Sequence, residues 1–332
     1  MNFTLFIGID VSKLTIDVAL LDVNGHYQCS SQFSNTTSGF KKMLRWLKDF
    51  DNSQSYLFCL EHTGVYSLPI CVFLEETNHL YSLQSGLQIK RSMGIQRGKN
   101  DKADAKVIAK YGFLNRGDIS ISKLPSKVIL KLKNLVAYRD RLVKMKAAIK
   151  TAANELKAYS DKELHKFVCR DSSSHVKQLN VSISKIDKEL QLAIDSSEEL
   201  KRLFHLISSV KGIGLQIATN MLISTHGFTK FKSWRKFSCY CGLAPFEYSS
   251  GSSIRGKTRV SHLGNKRMKA MIGNGIASAI QNDPEIAQYY QRKLKEGKHK
   301  MVVLNAIKNK LISRAFAVVK RGTPFVNLYQ HI

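Results

Sequence analysis

The sequence predicts an α/β domain followed by a mostly helical remainder, and three observations carry that expectation. Residues 1–125 hold five short β-rich segments, the later ones alternating with helical stretches. Residues 126–205 switch to apolar residues at three- and four-residue steps, without Gly or Pro. Residues 206–332 continue as helices with two Gly-rich interruptions. Three domains are therefore expected: 1–125, 126–205 and 206–332.

Segments 4–10 (TLFIGID), 15–22 (TIDVALLD) and 27–33 (YQCSSQF) read as strands separated by turns, with Asn24-Gly25 a strong hairpin signal. A helix over 37–50 places Leu44 and Leu47 on one face and Lys41, Lys42, Arg45 and Lys48 on the other. A strand at 56–60, a helix near 67–77, a strand near 79–84 and a helix from about 102 to 112 follow. Three antiparallel strands and then alternating helices and strands is the order of a ribonuclease-H-like α/β domain. Two long helices come next, divided by the polar stretch DSSSH at 171–175; they predict an antiparallel hairpin or an intermolecular coiled coil.

The chain has 332 residues and a formal charge of +27, from 52 basic and 25 acidic residues. The net charge is −3 over 1–80, +13 over 81–150, −2 over 151–200 and +19 over 201–332. A surface made basic for solubility would be basic throughout, whereas two basic blocks between neutral ones point to a polyanion, with nucleic acid first. No uncharged apolar run of membrane-spanning length occurs; 301–319 is broken by Lys308, Lys310 and Arg314. The N-terminus lacks the basic region and cleavage site of a signal peptide. Six cysteines without a C-x-x-C pair or zinc spacing read as reduced, mostly buried thiols of a cytosolic protein.

Four carboxylates stand where chemistry would use them. Asp10 ends one strand and Glu61 another, while Asp101 and Asp104 share a face at the start of a helix. Hard divalent cations need several oxygen ligands, and acids at adjacent strand ends plus one helix face can converge on one site. Lys90, Arg91, Arg97, Lys99, Lys102 and Lys106 surround them in sequence and would hold a phosphate backbone. Taken singly, each acid also reads as a turn residue or helix cap. His62, beside Glu61, reads either as a metal-site neighbour or, more plainly, as a strand-end residue without a chemical role, and His262 has the same two readings; Trp46 and Trp234 read as packing residues.

The segment SVKGIGLQIATNMLIST (209–225) has the form of a helix-hairpin-helix, in which Lys211, Gly212 and Gly214 would meet a phosphate; a tight helix connection is the plainer reading. Further on, a Ser/Gly stretch combines hydroxyls with Arg255, Lys257 and Arg259 and runs into a helix beginning near Lys266 and Arg267. Hydroxyl nucleophiles beside cations fit phosphoryl transfer. Chemistry alone leaves Tyr248, Ser249, Ser250, Ser252 and Ser253 open as the nucleophile. The basic run 292–300 reads as a backbone contact.

GIDVSK, LEHTG, the D-x-x-D of NDKADAK and GLAPFEYSSG together resemble the DEDD transposases of bacterial insertion sequences. That family includes RNA-guided bridge recombinases and a pilin-gene DNA invertase, and the likeness covers essentially the whole chain. It implies a RuvC-like first domain, a coiled-coil middle and a C-terminal transposase domain. It further implies Mg2+ (or Mn2+) on Asp10, Glu61, Asp101 and Asp104, with Ser250 as nucleophile and Ser249 its nearest rival. The activity implied is cutting and rejoining of donor and target DNA through a phosphoserine link, guided by a structured element-encoded RNA. A homodimer or tetramer in the bacterial cytoplasm, associated with the nucleoid, is implied too, with first and last domains of different subunits completing one site. Three other readings are weighed against this. One is a RuvC-like metal nuclease, resolvase or protein-only transposase. Another is an actin-like ATPase, which lacks its later Gly-rich phosphate loop here. The third is a non-catalytic nucleic-acid scaffold.

Overall fold

The strand LFIGIDV alternates its side chains between two faces of a sheet, and both faces are covered. The computed structural model describes residues 3–51, 55–94, 101–250 and 254–326; for Asp101, Lys102, Tyr248, Ser250, Ile254, Arg255 and Lys257 it describes the backbone alone. The chain divides into two compact units, Met1–Leu124 and Pro125–Ile332.

The first unit contains β1 (Leu5–Val11), β2 (Thr15–Leu21), β3 (Tyr27–Ser34), α1 (Thr37–Lys48), β4 (Tyr56–Glu61), α2 (Leu68–Glu76), β5 (Leu80–Gln84), α3 (Gly86–Met93) and α4 (Asp101–Leu114). Its five strands lie in the order β3-β2-β1-β4-β5. The β1–β2 and β2–β3 pairs are antiparallel, and the β1–β4 and β4–β5 pairs are parallel. This is the α/β arrangement expected from the sequence, and it is compatible with a RuvC-like domain.

Leu5, Ile7, Ile9 and Val11 pack with Phe40, Met43 and Leu47 of α1 and with Ile70, Cys71 and Leu74 of α2. Each such fully buried aliphatic side chain contributes about 1.5–3 kcal/mol. On the opposite face Phe6 joins Ala19, Leu21 and Leu57 beneath Ala105 and Ala109 of α4. Gly8 is what lets this helix lie down: a Cβ there would stand 2.1 Å from the Ala105 carbonyl oxygen and 2.2 Å from the Ala109 amide nitrogen. Phe113, near the end of α4, meets Phe6 edge-on at 5.2 Å. The helix thus runs against the direction of β1, and its first turn lies toward the end of β1 that carries Asp10.

The second unit contains α5 (Lys127–Glu155), α6 (Lys162–Asp195), α7 (Glu198–Ser208), α8 (Leu215–Thr225), α9 (Trp234–Tyr240), β6 (Pro245–Ser250), β7 (Ile254–Val260), α10 (Lys266–Asn282), α11 (Pro284–Lys295) and α12 (Lys300–Arg321). Helices α5 and α6 pack antiparallel, as Arg139 to Asp187 at 2.6 Å and Lys146 to Asn180 at 3.1 Å show. The predicted break at 171–175 is corrected, because those residues lie inside α6. Ser173 stays helical by donating its hydroxyl to the Cys169 carbonyl at 2.7 Å. The turn comes earlier, before Asp161, whose side chain caps α6 at the Leu164 amide. The all-helical expectation for 206–332 is corrected as well: β6 and β7 form an antiparallel hairpin in the second Gly-rich stretch.

All six cysteines are free; burial pushes the thiols of Cys59, Cys71 and Cys241 up to about 12, while Cys239 is exposed. Among the described residues no helix is long and apolar enough to cross a membrane.

His226 caps α8 in the left-handed region at φ 49°. Burial, then the charges of Lys230 and Lys133, hold its pKa below the ordinary 6.5. The folded chain therefore binds this proton less readily than the unfolded chain, and stability is lost as pH falls below about 6.5 until the lower folded value is passed. His226→Asn, which tolerates the left-handed backbone, is expected to flatten the fall of melting temperature between neutral and mildly acid pH. An unchanged pH profile in that variant would remove His226 from the account.

Candidate active site

Strand alternation puts Asp10 on the same face of β1 as Phe6 and Gly8, beneath α4. Glu61, at the end of β4, shares that face with Leu57 and Cys59. Because β1 and β4 are parallel and in register at Ile9 and Leu60, both acids come to the same end of the sheet. Asp104 lies in the first turn of α4, which reaches that end, and Asp101 opens the helix. The side chains of Asp10, Glu61 and Asp104 are all half-buried.

Space at Glu61 depends on Gly86, the first residue of α3. A Cβ at Gly86 would stand 2.0 Å from Oε1 of Glu61, so only glycine leaves the carboxylate where it is. The neighbouring His62 turns to its own loop, its Nδ1 accepting from the Gly64 amide at 3.2 Å. One acid that sequence reasoning missed belongs to this face: Asp17 stands opposite Asp10 in the β1–β2 register and is buried. Its two oxygens accept from Gln32 Nε2 at 3.2 and 3.0 Å. The Asn24-Gly25 turn joins β2 to β3 and bears only on the Asp17–Gln32 pair; the Asp10–Asp17 register belongs to the turn between β1 and β2, for which the sequence gives no comparable signal.

An all-carboxylate donor set suits a hard divalent cation, and Gly86 keeps the Glu61 oxygens uncovered by a side chain. Among the described residues, no three His, Cys, Asp or Glu side chains are drawn close enough to hold a metal ion; the Asp101 side chain lies outside them.

The hydroxyl candidates lie on the β6–β7 hairpin of the second unit. Ser249 pairs with Arg255 and Ser250 with Ile254 at its distal end, and the Ser249 side chain is exposed. Ser252 and Ser253 fall outside the described residues, as do the side chains of Tyr248, Ser250, Arg255 and Lys257. The foot of the hairpin is tightly held. A Cβ on Gly264 would stand 2.2 Å from the Gly242 Cα, so two glycine backbones touch where the arm leaves and returns. Gly242 itself takes φ 67°. The Asn265 amide donates to the Tyr240 carbonyl at 2.7 Å, and the Leu243 carbonyl accepts from Asn305 and Asn309 of α12 at 3.0 and 3.3 Å. Beyond this foot Phe246, Glu247, Thr258 and Arg259 are exposed.

The remaining basic candidates separate by environment. Arg97 and Lys99 lie outside the described residues, and Arg91 is exposed in the last turn of α3. Lys266 is exposed at the start of α10, but Arg267 is engaged by Asp140 of α5 at 2.7 Å. Lys211 is exposed in the loop before α8. Gly212 takes φ 93°, and a Cβ there would stand 2.7 Å from the Gly275 carbonyl oxygen, so close packing on α10 requires this glycine. Gly214 caps α8 without a side-chain hydrogen bond, and it lines an open cleft with Lys211, Asn274 and Ser278. Arg139 also borders that cleft, its guanidinium held by Asp187.

Comparison with known proteins identifies the family. A DEDD-type transposase model, described as a transposase of IS110 type, matches residues 7–159, and the transposase model of the IS116/IS110/IS902 family matches 204–291. The chain is 25% identical to the pilin gene-inverting protein of Moraxella bovis over 96% of this chain and 97% of that one. The Moraxella lacunata protein of the same name is equally similar, at 25% over the same shares. An insertion element IS110 protein of Streptomyces coelicolor is 29% identical over 41% of this chain and 33% of its own. The first match spans the carboxylate-bearing sheet and the second the serine-bearing hairpin, and on these grounds the chain belongs to the IS110 family of transposases, enzymes that recombine DNA.

Proposed function

We propose that this transposase cuts and rejoins DNA through a serine ester, with Ser250 as the nucleophile. The observation that carries the reading is the hairpin: an arm whose described side chains are exposed, on a tightly held foot, with Arg255, Lys257 and Arg259 in its sequence and the serine directly before Gly251 that the family motif marks. Ser250 Oγ attacks a backbone phosphorus, forming an O–P ester and breaking one bond to a deoxyribose oxygen. The serine proton passes to a general base, and the released oxygen takes up a proton as a free hydroxyl. Because the ester conserves the phosphodiester bond energy, a hydroxyl of a second DNA end can reverse the step without ATP.

Asp10, Glu61, Asp101 and Asp104 are the residues that would hold Mg2+ or Mn2+. Such a cation supplies Lewis acidity toward a phosphoryl oxygen. The protein's own part is to present these acids from one sheet end and one helix turn. Arg91, Arg97, Lys99, Lys211, Arg255, Lys257, Arg259 and Lys266 bind backbone phosphates in this reading, and Gly214 offers an uncapped helix start.

A structured RNA from the element selects the donor and target in this reading, which rests on the family resemblance; the two basic blocks fit RNA and DNA alike. The chain acts as a homodimer or tetramer. Tyr159, Leu164 and Phe167, exposed at the turn end of the α5–α6 hairpin, support self-association there.

The direct test incubates the full chain, with RNA copurified from cells carrying its flanking DNA, with DNA containing the element ends. A protein–DNA adduct that survives denaturation and maps by peptide sequencing to Ser250 is expected. An adduct on Ser249 moves the nucleophile by one residue. Cleavage with no adduct would reduce the protein to a metal nuclease, and recombination without any discrete RNA would leave protein-only readout.

A further inference from the structure

Lys308 of α12 reaches α10 one helical turn from Lys269, near enough for the two charges to act on each other, and neither has a carboxylate partner among the described residues. Gly273 follows Lys269 by one helical turn, and a Cβ there would stand 3.4 Å from both Cε and Nζ of Lys308. The Lys308 ammonium thus lies along a strip of α10 left bare by a glycine, next to Lys269. Both lysines are half-buried, and neither forms an ion pair among the described residues. Asp283 and Glu285, acids on the adjoining α11 segment, are taken by Arg314 and Lys310. Burial, then the Lys269 charge, lowers the Lys308 pKa, as expected of two cations held together with no anion.

Their hydrogen-bonding capacity is mostly unspent. An ammonium carries three donors, and Lys269 uses one on the Gly242 carbonyl at 3.1 Å. That carbonyl belongs to the foot of the β6–β7 hairpin, and Asn309, beside Lys308, holds the next carbonyl, that of Leu243. Folding therefore brings two half-buried ammoniums near each other at the base of the arm. That is unfavourable in the free protein and favourable once an anion lies between them.

We propose that Lys269 and Lys308, over the Gly273 gap, clamp a backbone phosphodiester of bound duplex DNA at the foot of the hairpin. The inference rests on the reading of this chain as a DNA recombinase. It does not depend on which hydroxyl is the nucleophile.

The experiment measures binding of the full chain to a generic DNA duplex and to single-stranded RNA across about 50 to 200 mM salt, alongside thermal melting. Each phosphate contact contributes a slope of about 0.9 in log affinity against log salt for duplex DNA, and about 0.7 for single strands. Lys308→Gln is expected to reduce the duplex slope by about 0.9 and to weaken binding about fivefold near 0.15 M salt. Its melting temperature should be unchanged or higher, because a half-buried charge has been removed. Lys308→Arg should restore the slope, and Lys177→Gln, on the exposed surface of α6, should leave it alone. A slope change on RNA alone assigns the same phosphodiester clamp to RNA. Wild-type slopes on both polymers, or a lower melting temperature with slopes intact, would overturn the proposal by making Lys308 a packing residue. Adduct formation on a residue other than Ser250 would refute the nucleophile assignment and leave this result untouched.

Discussion

Glu61→Gln is expected to abolish DNA strand cleavage, by about a thousandfold or more, in a chain that melts within a few degrees of the unaltered protein. Gln keeps the shape of the side chain and removes its charge. The carboxylate lies on the α4 side of the sheet, on the strand next to Asp10, with Asp17 beyond it. Removing one of several half-buried acids relieves mutual repulsion. It also forfeits about 0.3–1 kcal/mol of attraction to the start of α3. These effects are small and opposed, so stability is nearly preserved. Catalysis has no such offset, because a group stabilising phosphoryl transfer is worth several kcal/mol, and each 1.4 kcal/mol is about tenfold in rate. Gly86→Ala makes the complementary test. It leaves the charge and places a methyl carbon 2.0 Å from the present position of Oε1, so the carboxylate must move. Cleavage assays and melting curves on both variants decide the matter. Full cleavage by Glu61→Gln would make Glu61 an ordinary strand-end residue.

Much of the first unit was legible because its signals are local. Alternation in LFIGIDV and TIDVALL, the Asn24-Gly25 turn and the amphipathic α1 each report on a few adjacent residues. Asp10 and Glu61 were visible for the same reason, as acids at the ends of apolar runs. Asp17 was not, since it looks like any strand polar residue until the β1–β2 register sets it opposite Asp10. The β6–β7 hairpin escaped notice because its described side chains are largely exposed: Phe246, Glu247, Ser249, Thr258 and Arg259 give no alternation of buried apolar residues to read. The stretch at 171–175 misled in the opposite sense. Serines signal a break by competing for backbone groups, but Ser173 spends its hydroxyl inside the helix. Lys269 and Lys308 lie too far apart in sequence for any periodicity to join them, and only the packing of α10 on α12 does so.

Gly8→Ala is expected to be the most damaging single methyl group in the first unit, costing about 3 kcal/mol and about 10 °C in melting temperature. The new Cβ would fall 2.1 Å from the Ala105 carbonyl oxygen and 2.2 Å from the Ala109 amide nitrogen. Neither can rotate away, because both belong to the backbone of α4. Relief requires the whole helix to lift or slide, breaking its packing through Ala105 and Ala109 onto Phe6, Ala19 and Leu57. The same movement carries Asp104 and the start of α4 away from Asp10. A displacement of about 1 Å at a reacting centre costs about a hundredfold in rate, so cleavage should fall even at temperatures where the variant is fully folded. Gly112→Ala is the control on the same helix. Its Cβ would meet the Cys59 Cβ at 3.2 Å, a side-chain contact that a few tenths of an ångström relieves. Melting and cleavage measured on both variants separate a helix laid on glycine from one merely near it. A Gly8→Ala protein as stable and active as the original would mean that α4 does not rest on β1, and the convergence of Asp10 with Asp104 would fall with it.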